Sequence, residues 1–121
     1  MIGIGVDLCD VDRMRAALDR TPTLRGRVFT DDERAYCDRR ADPTERYAAR
    51  FAAKEAVMKA MGVGVGACKW REIEVAKTGS GAPSVRLHGG AQQLADGLGI
   101  RGWRLTITHT HRIAEAIAVA L

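Results

Sequence analysis

The stretch MIGIGVDL, residues 1–8, predicts both a strand and the way that strand packs. Apolar side chains take every second position, as expected of a strand with one buried face. They belong to Ile2, Ile4, Val6 and Leu8, and we expect this face to anchor the strand in the core. The opposite face carries only Gly3, Gly5 and then Asp7, which leaves room for another element or a ligand to come close.

The long helix, or its ligand, is expected to come close to this face; it is the longest helix of the chain, ERYAARFAAKEAVMKAM, residues 45–61. Asp42 and Pro43 form a helix start with Pro43 at the first helical position, and Gly62 ends the helix. At about 100° per residue the side chains separate into three arcs. One arc is expected to face the core (Tyr47, Phe51, Met58), one is small enough to admit another backbone (Ala49, Ala53, Ala56, Ala60), and one carries charge (Ala48, Ala52, Glu55, Lys59).

Outside these two segments, helices dominate the first half of the chain and strands the second. A helix over residues 10–20 is capped by Asp10 or Asp12, and Thr30 stands three residues before Glu33 as in a capping box. The later segments EIEVA, SVRLH, WRLTITH and AEAIAVAL are predicted strands, with a short helix at AQQLADGL. This order predicts one α+β domain over residues 1–121, with a mostly antiparallel sheet packed against a long central helix.

Composition limits the function classes. The chain has 121 residues, 46% of them hydrophobic and 28% charged, and no apolar run approaches the length of a membrane helix. No basic region precedes an apolar stretch at the start and Asp7 interrupts the only candidate, so we expect no signal peptide. Three widely spaced cysteines argue against a disulfide framework, and we expect a cytoplasmic protein. The net charge of +4 indicates an anionic partner: nucleic acid, nucleotide phosphates or an acidic protein. Few aromatic residues are present to stack single-stranded bases.

Glu55, Lys59 and Asp7 form the candidate site. Glu55 and Lys59 are four residues apart, and the simplest interpretation is a surface ion pair that stabilises the helix by about 0.2–0.5 kcal/mol. Alanines surround them, however, which favours space for a ligand that carries a metal and phosphates. Asp7 could be only a strand-end cap. Two carboxylates from distant segments, together with phosphate oxygens, would also suit Mg²⁺.

Five segments carry a resemblance to a known family. They are GIGVDL (3–8), RFAAKEAVMKAMG (50–62), REIEV (71–75), GAPSVRLHG (81–89) and LTITHT (105–110). In this order, over almost the full length, the chain resembles the holo-acyl-carrier-protein synthases, small 4′-phosphopantetheinyl transferases. The resemblance implies that coenzyme A donates its 4′-phosphopantetheine arm to a serine of an acyl carrier protein. Adenosine 3′,5′-bisphosphate is released, and Mg²⁺ bridges enzyme and pyrophosphate.

The resemblance also implies roles for individual residues and a homotrimer with active sites between subunits. Asp7 and Glu55 would bind the metal, and Lys59 would contact the phosphates as the third catalytic residue. Glu55, Asp7 or bound water would take the serine proton. The implied coenzyme A contacts are Arg50, Lys59, Gly62, Pro83 and His109, and the implied carrier contacts are Arg13 and Arg20. No nucleic acid or membrane is expected as a partner.

Several alternatives stay open at this stage. Arg13, Arg20 and Arg50 could be solvated arginines, and His109 an ordinary hydrogen-bonding histidine or, with His111, a zinc ligand. Ala82 and Val63 replace a lysine and a threonine common in the family, and Thr108 replaces a serine but keeps the hydroxyl. These departures motivate a non-catalytic coenzyme A or nucleotide-binding module as the second hypothesis. A nucleic-acid-binding protein is the third and rests on the basic charge alone.

Overall fold

Five strands and five helices form the fold in a computed structural model that describes residues 1–121. The strands are β1 (Gly3–Asp10), β2 (Ile73–Lys77), β3 (Pro83–Leu87), β4 (Trp103–His109) and β5 (Ile113–Ala120). The helices are α1 (Val11–Arg20), α2 (Leu24–Val28), α3 (Asp31–Cys37), α4 (Thr44–Ala60) and α5 (Gly89–Gly97), with a single 3₁₀ turn at Trp70–Glu72. The predicted α+β class is confirmed.

All strand pairs are antiparallel and belong to two sheets. β5 lies between β1 and β4 in the larger sheet, and β2 pairs with β3 in the smaller one. The register of the first pair sets Gly5 opposite Ala118 and Asp7 opposite Ala116. Glycines and alanines thus share the face that β1 and β5 turn towards the protein interior.

Helix α4 packs against this small-residue face. The alanines of β5 are buried against it (Ala114, Ala116, Ala118, Ala120). On β1, a Cβ atom placed at Gly3 would lie 1.9 Å from the Ala60 carbonyl oxygen, and one at Gly5 would lie 2.0 Å from that of Ala56. Only glycine permits this approach. The prediction that the glycine face of β1 lets another element come close is confirmed, and that element is α4.

The apolar face of β1 is not in the core. Its side chains are between 48% and 58% exposed (Ile2, Ile4, Val6, Leu8). The expectation that they anchor the strand was therefore wrong. A strand has two faces, and α4 covers the one with glycines because its backbone comes too close for any Cβ. The apolar face consequently points away from the chain's own core.

Helix starts follow the local signals closely. The Asp10 side chain accepts from the Arg13 N–H at 3.0 Å and caps α1. Thr30 and Glu33 form the reciprocal capping box at α3. Helix α4 begins at Thr44, one residue later than expected, because Pro43 takes the cap position. Helix α2 was not predicted.

A fully buried ion pair ties α4 to its neighbours. Lys54 Nζ lies 2.8 Å from Glu33 Oε1, and both side chains are fully buried. Lys54 also donates to the carbonyl oxygens of Trp70 and Ile73, while the Val75 N–H donates to Glu33 Oε2. With these hydrogen bonds the pair avoids the penalty of an uncompensated buried charge. Lys54, adjacent to Glu55 in sequence, therefore belongs to the scaffold.

No helix of the fold combines the length and the apolarity that crossing a bilayer requires. Cys9, Cys37 and Cys68 are free thiols. Burial, the main influence, raises the pKa of Cys9 to about 11 and that of Cys37 to about 12.

Candidate active site

Asp7 and Glu55 meet where β1 crosses α4. Asp7 follows Gly3 and Gly5 on the face of β1 that contacts the helix, and its side chain is 12% exposed. Glu55 projects from α4 beside it and is half-buried. Because the two glycines bring strand and helix together, two carboxylates that are 48 positions apart in sequence become neighbours.

The position of Glu55 beside Asp7 affects the protonation of Glu55. Burial, a hydrogen bond with Asp7 and the Asp7 charge together raise the pKa of Glu55 to about 7. Such a shift is typical of two carboxylates that share a site, where one keeps its proton unless a cation joins them. The pair is therefore suited to a positive ligand.

Lys59 joins this pair through Asp7. Lys59 Nζ lies 2.9 Å from Asp7 Oδ1 and 3.0 Å from the Val6 carbonyl oxygen. The hydrogen bond to Asp7 is the main cause of the raised pKa of Lys59. A Glu55–Lys59 ion pair within 4 Å is absent, so the simplest interpretation of that spacing is wrong. The four-residue spacing places Glu55 and Lys59 on one side of α4, but the ion-pair partner of Lys59 is Asp7 on β1.

An open groove of about 730 Å³, here called the carboxylate groove, begins at Asp7 and Glu55. Helix α1 forms one wall and contributes Arg13 and Arg20. Phe51 and Trp70, with stacked rings 5.0 Å apart, line another part. The structure thus brings both predicted carrier-contact arginines to the groove that holds the carboxylates.

A second depression, here called the basic cleft, lies between α3, α4, the β2–β3 turn and the end of β4. Its ten lining residues are Tyr36, Arg40, Arg46, Ala49, Arg50, Lys77, Gly81, Pro83, Ile107 and His109. Four of them are cationic and none is acidic. The structure therefore brings three of the five expected coenzyme A contacts, Arg50, Pro83 and His109, together in a strongly positive environment, whereas Lys59 and Gly62 lie outside it.

Arg50 is the most unusual cation of the basic cleft. The residue is 5% exposed, it forms no ion pair, and its Nε has no hydrogen-bond partner. A buried guanidinium without a carboxylate is unfavourable unless an anion compensates it. Arg50 is therefore not the solvent-facing arginine considered from the sequence, and its environment is that of an anion-binding residue.

His109 and His111 converge on one carboxylate. Their Nδ1 atoms lie 3.0 and 3.2 Å from the two carboxylate oxygens of Glu45. The hydrogen bond with His111 is the main cause of the lowered pKa of Glu45. No group of three or more His, Cys, Asp or Glu side chains is arranged to hold a metal ion. The ring nitrogens considered for zinc are thus engaged with Glu45.

The structure keeps other expected site residues apart. Gly62 follows α4 with a φ of 72°, has no atom near its Cβ position, and lines neither the carboxylate groove nor the basic cleft. The groove and the cleft share no residue, although Glu55 and Arg50 lie five residues apart on one helix. Within one chain, the carboxylates and the main cationic cluster therefore form two separate sites.

Sequence reasoning missed several residues of the basic cleft: Tyr36, Arg40, Arg46 and Lys77. Arg46 stands four residues before Arg50, which was a usable signal for a shared helix face. Tyr36 and Lys77 come from α3 and β2, and only tertiary contacts reveal that they join the arginines.

Comparisons with known proteins agree with this architecture. Residues 3–108 match the sequence model of the 4′-phosphopantetheinyl transferase superfamily. The chain is 44% identical to the holo-[acyl-carrier-protein] synthase of Moorella thermoacetica (98% of this chain, 93% of the relative). It is 48% identical to that of Beutenbergia cavernae (99% and 97%).

Solved structures show the same fold. The holo-[acyl-carrier-protein] synthase of Neisseria meningitidis superposes with a TM-score of 0.91 at 28% identity, covering 100% of this chain and 98% of that one. The Helicobacter pylori synthase, solved in complex with coenzyme A, gives a TM-score of 0.86 at 27% identity, covering 98% and 99%.

Proposed function

The chain belongs to the 4′-phosphopantetheinyl transferase superfamily and is a phosphopantetheinyl transferase, and from this premise we propose a Mg²⁺-dependent transfer from coenzyme A to an acyl carrier protein. A carrier serine hydroxyl attacks the β-phosphorus of coenzyme A, and the bond from that phosphorus to the bridging pyrophosphate oxygen breaks. Adenosine 3′,5′-bisphosphate leaves, and the serine proton is released. Such reactions depend on in-line positioning and on neutralising charge at the phosphate oxygens.

Asp7 and Glu55 are the proposed metal ligands. Both offer hard oxygen donors, and the raised pKa of Glu55, at about 7, indicates a carboxyl pair that a divalent cation would relieve. Bound between them, Mg²⁺ would neutralise pyrophosphate charge. Lys59, held at Asp7 by a 2.9 Å ion pair, is proposed to contact the same phosphates and offset the charge on the leaving group.

The basic cleft is the proposed site for the other end of coenzyme A. With the pyrophosphate at the carboxylates, the anion that remains is the 3′-phosphate on the ribose. The buried Arg50 guanidinium, which has no ion pair and no partner for its Nε, suits this phosphate, with Pro83 and His109 lining the same cleft. Gly62 lies outside the cleft, so its proposed coenzyme A contact stays a prediction from the resemblance.

A homotrimer with active sites between subunits would explain why the carboxylate groove and the basic cleft are separate within one chain. One chain's carboxylate groove and a neighbour's basic cleft would then bind the two ends of one coenzyme A. The exposed apolar face of β1 supports association between copies, since such faces are typical of interaction surfaces.

Arg13 and Arg20 are the proposed docking contacts for the carrier. Both line the groove that ends at Asp7 and Glu55, so a protein bound there could bring its serine to the carboxylates. Opposite charge on an acidic carrier would speed and orient the encounter.

The single observation that carries the proposal is the Asp7–Glu55 carboxyl pair. The test incubates the protein with Mg²⁺, coenzyme A and several apo-carriers and follows intact carrier mass. We expect the carrier to gain the mass of one phosphopantetheine. Glu55→Gln keeps the shape of the side chain but removes its charge, and we expect it to lower the transfer rate by about 100-fold or more.

Asp32→Asn is the matched control, because Asp32 is exposed and makes no side-chain hydrogen bond. Full Mg²⁺-dependent activity in Glu55→Gln would contradict the metal-ligand role. Tight coenzyme A binding by calorimetry, without transfer to any carrier, would instead support the non-catalytic module.

A further inference from the structure

Tyr36 occupies a central position in the basic cleft. Its ring centroid lies 4.0 Å from Arg46 Cζ, 4.1 Å from Arg50 Cζ and 4.6 Å from Lys77 Nζ. The face of an aromatic ring attracts cations because its quadrupole places negative potential there. One side chain on α3 therefore contacts three of the four cations that line the cleft.

Arg46 and Arg50 both contact this ring from the same helix. They lie four residues apart on α4, where like charges repel each other. Arg46 is fixed by a 2.7 Å hydrogen bond to the Tyr36 carbonyl oxygen as well as by the ring. Arg50 has neither an ion pair nor a partner for Nε, and the Tyr36 ring supplies a favourable electrostatic contact 4.1 Å from its Cζ.

An aromatic ring is better suited than a carboxylate to hold Arg46 and Arg50 in an anion-binding site. A carboxylate at the same place would hold the arginines but would also cancel their charge and compete with an incoming anion. The ring holds them without neutralising them. Burial raises the pKa of the Tyr36 phenol, yet the hydrogen bond with Lys77 and the charges of Arg46, Lys77 and Arg50 outweigh it and lower that pKa overall. The positive field of the cluster thus persists at the ring.

We propose that Tyr36 is a positioning residue that holds Arg46 and Arg50 for the 3′-phosphate of coenzyme A, and so sets the preference of the cleft for a 3′-phosphorylated nucleotide. This inference rests on the proposed function, because it takes the basic cleft as the site of that phosphate. It extends that proposal by naming the group that orders the cations.

The test compares the binding of adenosine 3′,5′-bisphosphate with that of adenosine 5′-monophosphate by calorimetry, using the full-length protein. Tyr36→Leu removes the ring, and we expect about 10-fold weaker binding of the bisphosphate with little change for the monophosphate. Tyr36→Phe keeps the ring and is expected to retain the wild-type preference. In transfer assays, Tyr36→Leu should raise the KM for coenzyme A while kcat at saturating coenzyme A stays close to wild type.

Arg39→Ala is the matched control. Its guanidinium carbon lies 6.0 Å from the same ring, and Arg39 does not line the cleft, so removing this charge should leave the preference unchanged. Arg50→Ala tests whether the basic cleft binds the 3′-phosphate, and this variant should lose the preference for the bisphosphate.

The role of Tyr36 and the assignment of the basic cleft to the 3′-phosphate can fail independently. If Tyr36→Leu keeps the preference while Arg50→Ala loses it, the role of Tyr36 is overturned and the cleft assignment stands. If the wild-type protein shows no preference and Arg50→Ala changes nothing, the cleft assignment and the role of Tyr36 both fall. If the preference for the bisphosphate is lost in Tyr36→Leu but kept in Tyr36→Phe, the role of Tyr36 is supported. A purely structural defect would instead weaken the binding of both nucleotides.

Discussion

Gly3 and Gly5 control how closely β1 meets the long helix α4. A Cβ atom at Gly5 would lie 2.0 Å from the Ala56 carbonyl oxygen, 2.7 Å from the Ala60 nitrogen and 2.9 Å from Lys59 Cβ. These neighbours are mostly backbone atoms of a buried helix and cannot move aside. Asp7, two residues further on the same face, reaches Glu55 only because the strand lies this close.

Gly5→Ala is therefore expected to lower the free energy of unfolding by about 1–3 kcal/mol or more, through overpacking at the strand–helix contact. Urea denaturation measures this change. Gly97→Ala is the control, since nothing lies within 4 Å of its Cβ position at the end of α5, and its stability should equal or slightly exceed wild type. A Gly5→Ala protein as stable as wild type would show that β1 can shift without loss.

Between elements, Glu74 on β2 connects segments that are distant in sequence. It is 5% exposed, accepts a 2.7 Å hydrogen bond from the Thr30 hydroxyl, and lies 2.9 Å from His88 Nε2. Thr30 caps α3 and His88 precedes α5. One buried carboxylate thus links a strand to the starts of two helices.

The stability of this junction should depend on pH. Burial raises the pKa of Glu74, but the hydrogen bonds from Thr30 and His88 and the His88 and Arg86 charges outweigh it and lower that pKa overall. A folded pKa below the unfolded value, about 4.3, contributes stability above that value and loses it as pH falls through the folded pKa.

We therefore expect Glu74→Gln to be less stable than wild type at pH 7, with the difference shrinking once the pH falls below about 4. Urea unfolding at a series of pH values measures it. Asp32→Asn, at an exposed position in the first turn of α3, is the control and should lie within about 1 kcal/mol of wild type. If the loss in the free energy of unfolding of Glu74→Gln stayed constant down to acid pH, the lowered pKa of Glu74 would be contradicted.

At the scale of the whole molecule, two features of the single chain require explanation. The apolar face of β1 is exposed, and the carboxylate groove and the basic cleft share no residue. The proposed homotrimer accounts for both, because association would cover the apolar face and bring one chain's groove to another chain's cleft. Assembly and activity should therefore be lost together.

Ile4→Glu tests this link, since Ile4 is 58% exposed and its side chain points away from the face that carries Asp7. We expect the wild type at three times the 13.1 kDa chain mass by light scattering, and the variant at lower mass with much reduced transfer activity. Leu98→Glu, at a 42% exposed position after α5, is the control and should keep both properties. A fully active wild-type monomer would rule out the shared site.

The sequence by itself determined much of the local structure: the capping box at Thr30, a first helix capped by Asp10 or Asp12, the long alanine-rich helix and the glycine face of β1. It also singled out Asp7 and Glu55, because one follows a glycine face and the other projects among alanines, in segments that match a family pattern. Only the tertiary structure decided which face of β1 is buried, that Lys59 pairs with Asp7 instead of Glu55, and that Tyr36 and Lys77 join Arg46 and Arg50. Periodicity distinguishes two faces but not which one a neighbour covers, since that depends on how closely distant backbones approach.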